Sequence, residues 1–172
     1  MKKLLMLLAL MCGMSALAIA QNNATPDVVD IAIGSADHST LVAAVQAAGL
    51  VETLKGEGPF TIFAPVNSAF DKLPEGTVAT LLKPENKATL AKILTYHVVA
   101  GRLDSAAVVA ALQAGDGKTS VTTVSGGTLN VMLEDGRVFL QDENGNKAAI
   151  TAVDLSGSNG VIHVIDTVVL PK

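Results

Sequence analysis

The chain has 172 residues, of which 49% are hydrophobic and 16% are charged, and its formal net charge is −4. This length is enough for one domain that buries most of its chain surface. There is no basic excess that could neutralise a phosphate backbone, so the composition argues against nucleic acid as a partner.

The first twenty residues predict a secretory signal peptide. Lys2 and Lys3 precede an apolar run that ends in Ala18-Ile19-Ala20, which gives a basic start, an apolar centre and a small-residue cleavage site. The run is shorter than the roughly 20 apolar residues of a transmembrane helix, and the residue before Cys12 is too bulky for a lipid anchor. We expect a bacterial protein that is cleaved after Ala20, is secreted or periplasmic, and does not span the membrane.

The expected mature chain begins with a polar segment, residues 21–27, which we interpret as flexible. One domain follows over residues 28–172. Loss of the leader leaves ten basic against sixteen acidic residues, a net charge of −6. Because the single cysteine, Cys12, leaves with the leader, the exported domain would be held together by core packing, without a disulfide.

The first half of the domain is predicted to be largely helical. Apolar residues at helical spacing follow four residues of the types that cap helix N-termini: Ser39, Asn67, Thr77 and Asp104. The longest predicted helix covers residues 85–98, and His97 falls on its apolar stripe. A strand is predicted at residues 60–64.

The second half changes to the pattern of β-strands. Apolar runs alternate with Asp135-Gly136 and Asn144-Gly145, dipeptides that hairpin turns prefer. The predicted strands cover residues 121–124, 129–133, 138–141, 148–153 and 161–170. Helices followed by an antiparallel meander indicate the α+β class.

Two segments and a dipeptide between them occur in a specific order. Residues 61–70 read TIFAPVNSAF, a strand that ends at Pro65 and turns into a helix. Residues 159–171 read NGVIHVIDTVVLP, a turn followed by an apolar strand. Tyr96-His97 lies between them. In order and spacing these pieces resemble the two signature blocks and the Tyr-His dipeptide of fasciclin domains, which are extracellular adhesion and binding modules.

The resemblance spans residues 28–172 and implies a wedge of two β-sheets with several helices packed around it. It marks six residues as a structural signature: Thr61, Pro65, Asn67, Phe70, His163 and Asp166. Asp166 is a carboxylate in an apolar strand, and a buried carboxylate needs hydrogen-bond donors. We expect the backbone N–H groups of residues 64–67 to be those donors. Asn67 is expected to accept N–H groups at the start of its own helix.

Two pairs of residues are candidates for contacting a partner. In matrix relatives of the fasciclin family, a Tyr-His dipeptide between aliphatic residues is described as an integrin-binding motif, and Tyr96-His97 has such flanks. The same flanks would bury the dipeptide, and packing is the interpretation that we favour. Asp154-Leu155 resembles a second adhesion motif of those relatives, from which the neighbouring Ala152, Val153 and Ser156 depart. We expect this pair in a surface loop.

The sequence carries no recognisable catalytic or metal-binding pattern. His38, His97 and His163 are scattered, without a carboxylate at metal-ligand spacing. Residues 142–153 begin like a calcium loop, but Lys147 occupies the position that requires glycine. Neither a Gly-x-Ser-x-Gly elbow nor a phosphate-binding glycine loop occurs. We expect no enzymatic activity, no metal and no cofactor.

The sequence therefore predicts an exported, non-enzymatic interaction module that mediates adhesion to a cell surface, a matrix component or another exported protein. The alternative is a periplasmic carrier or sensor that holds a small apolar ligand between the helices and the sheets. An enzyme ranks last. A deep apolar cavity with a few polar groups would favour the carrier, whereas a shallow exposed apolar patch would favour adhesion.

Overall fold

The computed structural model describes residues 25–172. The predicted signal peptide and residues 21–24 lie outside the described residues. None of the described helices is long and apolar enough to cross a membrane. Asp27, the last residue of the predicted flexible start, is the N-cap of the first helix. Its side chain accepts a hydrogen bond from the backbone N–H of Asp30 at 2.8 Å and so begins the first helix.

Seven α-helices are present in the described residues, most of them in the first half. Their bounds are α1 Val28–Ile33, α2 Ser39–Ala48, α3 Val51–Leu54, α4 Asn67–Asp71, α5 Thr77–Leu81, α6 Lys87–Tyr96 and α7 Ser105–Ala114. Short 3-10 turns precede α2 and α6, at Ala36–His38 and Pro84–Asn86. The predicted helix over residues 85–98 is shorter than expected, because a strand begins directly after His97.

Seven strands form one continuous set of hydrogen-bonded neighbours. Their bounds are β1 Phe60–Pro65, β2 Val98–Ala100, β3 Lys118–Thr122, β4 Thr128–Glu134, β5 Arg137–Gln141, β6 Lys147–Gly157 and β7 Gly160–Ile165. Their spatial order is β2-β1-β7-β6-β5-β4-β3. Only β1 and β7 are parallel, and every other neighbouring pair is antiparallel.

The long strand β6 divides this set into two sheets. Its first residues pair with β5 and its later residues pair with β7, with irregular register between Ile150 and Leu155. Two sheets that share one strand, with helices packed against them, form the wedge that the sequence predicts. The α+β class is therefore confirmed.

Strand β1 separates two hydrophobic cores. Alternate side chains of a strand point to opposite faces, so Ile62 and Ala64 face the helices while Phe63 faces the second sheet. We call the first the helix-side core; its buried residues include Val28, Leu41, Val45, Leu54, Leu90, Leu94 and Ile162. We call the second the inter-sheet core; its buried residues include Tyr96, Leu112, Leu129, Val131, Leu140, Ile165 and Val169.

The predicted helix caps are only partly observed. Asp104 caps α7 as expected, since its carboxylate accepts from the N–H of Ala107 at 2.8 Å. Ser39 and Thr77 are the first residues of their helices and make no cap, so both predictions are wrong. Asn67 is also the first residue of its helix and does not cap it.

Candidate functional site

Asn67 joins the first signature block to helix α2. Its Oδ1 accepts from the backbone N–H of Thr40 at 3.0 Å and from the Ser39 hydroxyl at 3.3 Å. Its Nδ2 donates to the carbonyl of Ala36 at 2.9 Å. The side chain thus satisfies free groups at the start of α2 instead of its own helix. This corrects the predicted partner and leaves the structural role of Asn67 in place.

Tyr96 lies in the inter-sheet core with 0% of its surface exposed. Its hydroxyl donates to the carbonyl of Thr128 at 2.7 Å and accepts from the backbone N–H of Glu143 at 3.2 Å. Burial raises the pKa of this phenol above its ordinary value. The hydroxyl therefore holds α6 against the β4 and β5 region, and it does not reach solvent.

His97 is also buried, and both of its ring nitrogens have partners. Nδ1 lies 2.8 Å from the carbonyl of Ile93, to which it donates, and Nε2 accepts from the N–H of Val169 at 3.2 Å. A ring that donates at one nitrogen and accepts at the other is neutral. Burial lowers the pKa of His97 to about 4, which agrees with that assignment. Because a contact with a partner requires exposed side chains, we leave Tyr96 and His97 out of the proposed binding surface.

His163 and Thr61 bind the two signature blocks to one loop. His163 Nε2 lies 2.6 Å from the carbonyl of Leu103, to which it donates. Thr61 donates to the carbonyl of Gly101 at 2.7 Å and accepts from the N–H of Leu103 at 2.8 Å. The ring of His163 also stacks on Phe63, with centroids 5.8 Å apart. These contacts give both residues a structural role at the pairing of β1 with β7.

Asp166 receives its hydrogen bonds from a different strand than expected. Its Oδ1 accepts from the N–H of Ala149 at 2.9 Å and from the Thr167 hydroxyl at 3.0 Å. Its Oδ2 pairs with Lys72 at 3.4 Å, and 39% of the side chain is exposed. Burial by itself would raise the pKa of Asp166, but the Ala149 N–H and the other donors outweigh burial and lower it. The predicted donors at residues 64–67 are wrong because parallel pairing commits the N–H of Val66 to the carbonyl of Ile165.

Asp154 and Leu155 lie in an exposed part of β6. All six residues from 151 to 156 are exposed, and this part of β6 pairs with β7 on one side only. The register of β6 against β7 shifts on both sides of Ala152, and Asp154 has a φ of +61°. Such β-bulges re-aim side chains and are frequent beside functional sites. The bulged strand carries two exposed aliphatic side chains, Val153 at 48% and Leu155 at 38%.

The carboxylate of Asp154 is engaged within the chain. It accepts from the hydroxyl of Ser105 and from the backbone N–H of Ser105, the latter at 2.8 Å. The hydrogen bond from the Ser105 hydroxyl has the larger effect and that from the Ser105 N–H the smaller, and both lower the pKa of the Asp154 carboxyl. Asp154 therefore ties the bulge to the first residue of α7 and fixes the position of Leu155.

An apolar cleft lies between the helices and the sheet, where the carrier hypothesis expects a ligand, although the sequence analysis did not name its lining residues. Its volume is about 60 Å³, and its walls come from α1, α2, α3, α6, β1 and β7. The lining includes Val29, Ala32, Leu41, Val45, Ile62 and Ile162. Two exposed side chains, Ile33 and Gln46, also line the cleft and lie at its opening. Ile33 is the most exposed large aliphatic residue of the described chain, at 55%.

A second, smaller cavity of about 20 Å³ lies beside this cleft. Three residues, Ala32, Ala64 and Ile162, line both. The small cavity is otherwise lined by Ile31, Ser35, His38 and Leu155. The structure therefore brings the predicted contact residue Leu155 close to a helix that the sequence analysis missed, α1.

No group of three or more histidine, cysteine, aspartate or glutamate side chains within residues 25–172 is placed to hold a metal ion. The described residues form an α+β domain in which Thr61 and His163 are buried and hydrogen-bonded, with one exposed bulged strand and an apolar cleft.

The family model for the Fasciclin domain matches residues 36–171, and the chain belongs to this family. Protein sll1483 of Synechocystis sp. is 49% identical over 152 residues, covering 88% of this chain and 77% of that protein. Transforming growth factor-beta-induced protein ig-h3 of Sus scrofa is 38% identical over 144 residues, covering 84% of this chain and 19% of that protein. This chain is thus equivalent to one part of the much longer ig-h3 protein.

A solved structure shares the fold. It is the FAS1 domain pair from the insect cell adhesion molecule fasciclin I, with a TM-score of 0.60 and 20% identity over 73% of this chain and 42% of that chain. The pairing of β1 with β7 thus belongs to a fold found in a cell adhesion molecule.

Proposed function

We propose that this protein is an exported, non-enzymatic interaction module that binds a protein or matrix component of the cell surface through the bulged part of β6. The observation that carries the proposal is the run of six exposed residues, 151–156, in the part of β6 that pairs only with β7. Exposed aliphatic residues on a strand edge with a fixed backbone suit contact with another protein. The similarity to an insect cell adhesion molecule supports this class of function.

The geometry of the bulge favours recognition by shape and apolar contact. The Asp154 carboxylate is held by Ser105, so its charge is partly screened from a partner. Arg102 donates to the hydroxyl of Ser156 at 3.2 Å and supports the other end of the run. Val153 and Leu155 remain as the side chains that a partner would cover. Ordering of the bulge before binding reduces the entropy that binding costs.

Replacement of the two aliphatic side chains tests the proposal. We expect V153S together with L155S to weaken capture of partners from envelope and culture-medium fractions by at least tenfold. The matched control is V124S together with L133S, which removes two aliphatic side chains of similar exposure from other strands and turns. Equal capture by both double variants would overturn the assignment of the surface.

A second candidate function, carriage or sensing of a small apolar ligand, is favoured by a different observation. The cleft between the helices and β1 is almost entirely apolar and opens to the surface at Ile33 and Gln46. Binding sites for small ligands are concave and apolar with a few polar groups. Titration with a small apolar probe such as 1-chloropentane, followed by amide resonances in NMR spectra, tests this second function separately from the first. A32M, which fills the cleft, should abolish binding, and the control A43M at an exposed alanine of α2 should not.

A further inference from the structure

A polar groove lies next to the end of the exposed run, between the loops 55–59 and 101–102 and the turn 158–160. We call it the Arg102 groove. Its volume is about 480 Å³, within the range of about 300–1,000 Å³ that ligand sites occupy. Its lining includes Lys55, Glu57, Pro59, Arg102, Ser158 and Gly160. Because its side chains are mostly polar or charged, the groove suits a polar group, in contrast to the apolar cleft.

Arg102 has hydrogen-bond donors that the described chain does not use. Its Nη2 donates to the Ser156 hydroxyl at 3.2 Å, which is the one hydrogen bond of this guanidinium within residues 25–172. None of the ion pairs within those residues includes Arg102. The nearby Asp154 carboxylate bonds to Ser105 instead. Since a guanidinium has five N–H donors in a planar fork that matches a carboxylate, most of them remain for a ligand.

Buried residues of both signature blocks fix the backbone on each side of Arg102. The Thr61 hydroxyl donates to the carbonyl of Gly101 at 2.7 Å and accepts from the N–H of Leu103 at 2.8 Å. His163 Nε2 donates to the carbonyl of Leu103 at 2.6 Å. Because this backbone is ordered before binding, less entropy is lost when a ligand binds. The two signature residues thus position Arg102, besides joining β1 to β7.

The facing walls of the groove are fixed by close contacts between backbones. A Cβ atom added to Gly58 would lie 1.9 Å from the carbonyl oxygen of Asn159. One added to Gly160 would lie 2.2 Å from that of Phe60. Only glycine permits so close an approach. The Asn159 amide also donates to the carbonyl of Gly56 at 3.0 Å, so the groove exists before a ligand binds.

The charges around the groove favour a ligand with a single negative group. Lys55 is paired with Asp27 at 3.0 Å and with Asp30 at 2.6 Å. Of the two cations in the lining, Arg102 is therefore the one without an ion pair within the described residues. Glu57 is exposed and lines the same groove, so it repels a ligand of higher negative charge. The net charge of −4 acts in the same direction.

We propose that the Arg102 groove binds one carboxylate group, which the guanidinium holds with paired hydrogen bonds, and that this group is an acidic side chain of the partner protein. The assignment to the partner follows from continuity of the surface. Arg102 bonds to Ser156, the last residue of the exposed run, so one partner can cover Val153 and Leu155 and also reach the groove. This inference rests on the proposed function, and its test separates the two.

Two probes that differ by one charge test the site. N-acetyl-glutamate amide and N-acetyl-glutamine amide have nearly the same shape, and only the first carries a carboxylate. We expect the first to bind the mature protein about fivefold more tightly at neutral pH, because the guanidinium fork favours a carboxylate over an amide. Titration of the backbone amide resonances of the groove in NMR spectra measures both affinities. R102Q should remove the preference, and R102K, which keeps the charge without the planar fork, should keep part of it.

Two further variants locate the site. R137Q is the matched control, because Arg137 is exposed and also takes part in none of the ion pairs within residues 25–172. It should leave the preference unchanged. S158F places an aromatic ring in the groove from an exposed position and should abolish the preference. Equal affinity of the unaltered protein for the two probes, or a preference that survives in R102Q or S158F, would overturn the groove as a carboxylate site.

Capture of partners from envelope and culture-medium fractions tests the link between the groove and the bulge. We expect R102Q to weaken capture about threefold, because the partner loses its ion pair while the aliphatic contacts remain, and R137Q to leave capture unchanged. Weaker capture by V153S with L155S, together with full capture by R102Q, would overturn the partner's side chain as the ligand while the proposed function stands. Full capture by V153S with L155S would overturn the proposed function, whereas the two probes still measure the groove by itself.

Discussion

The inter-sheet core and the helix-side core differ in how closely their residues are packed. In the inter-sheet core the Tyr96 hydroxyl has two backbone partners. Asp142, which is buried nearby, accepts four hydrogen bonds from Asn144, Asn146 and Leu170. The helix-side core instead contains the apolar cleft, which opens to the surface at Ile33 and Gln46. Closed packing serves stability, whereas an open cleft leaves room for a ligand.

The largest expected effect on stability comes from the same substitution, Leu→Ala, made once in each core. L112A removes a leucine that is fully packed between the sheets, and L41A removes one that already faces the cleft. The cost of Leu→Ala depends on the cavity created and on how many contacts are lost. We expect L112A to reduce the free energy of unfolding by about 4 kcal/mol and L41A by about 2 kcal/mol. Urea denaturation measures both, and equal losses would contradict the difference between the cores.

The next effect is a pH dependence that arises from His97. Its pKa is about 4 in the folded protein and about 6.5 when unfolded, so the unfolded state binds more protons between these values. The contribution of His97 to the free energy of unfolding is therefore fully present above pH 6.5 and is lost as the pH falls towards 4. This contribution amounts to about 3 kcal/mol. His38 has a lowered pKa and acts in the same direction.

Unfolding measured from pH 7.5 to pH 4 checks this expectation. H97Q should flatten the profile in that window more than H38Q does. The carboxyls of Asp154 and Asp166, whose pKa values are lowered, contribute stability above their unfolded values near 4, and this is lost only at lower pH. A profile of H97Q that falls as steeply as that of the unaltered protein would refute the assignment.

A smaller effect is expected at Asp166, which lies at the edge of the inter-sheet region. D166A leaves the N–H of Ala149 without its acceptor, at a cost of about 1 kcal/mol because the site is partly exposed. D166N retains an acceptor and should recover most of that loss. K72M removes the exposed ion pair and the hydrogen bonds that Lys72 donates to the Asp166 carbonyl and the Thr167 hydroxyl. Because these groups are exposed to solvent, K72M should change stability by less than about 0.5 kcal/mol. Thermal unfolding of the three variants measures their losses of stability. A larger loss in K72M than in D166A would contradict the expectation.

The smallest expected effect concerns the proposed partner surface. Val153 and Leu155 are both substantially exposed, so V153S together with L155S should reduce the free energy of unfolding by about 1 kcal/mol or less. Circular dichroism during heating measures this. A loss much larger than the loss in V124S with L133S would mean that these side chains support the fold, and it would remove the basis for the partner surface.

Much of the local structure could be predicted because it depends on neighbours in the sequence. Asp135-Gly136 forms the expected hairpin turn with φ values of 49° and 76°, both of which a type I′ turn requires. Gly49 ends α2 with a φ of 70°, as glycine does at helix ends. The cap at Asp104 is also local. Helix α1, with six residues, and strand β2, with three, were missed because such short segments carry too little periodicity to be detected.

The sequence by itself determined the α+β class and the meander of the second half, since periodicity and turn residues act over a few positions. Only the tertiary structure decided the partners of Asn67, Asp166 and Tyr96, which lie about 17 to 47 residues away in the chain. It also decided the apolar cleft between the helices and β1. Such partners follow from the parallel pairing of β1 with β7 and from helix packing, and a local pattern of side chains does not encode which distant donor reaches a given acceptor.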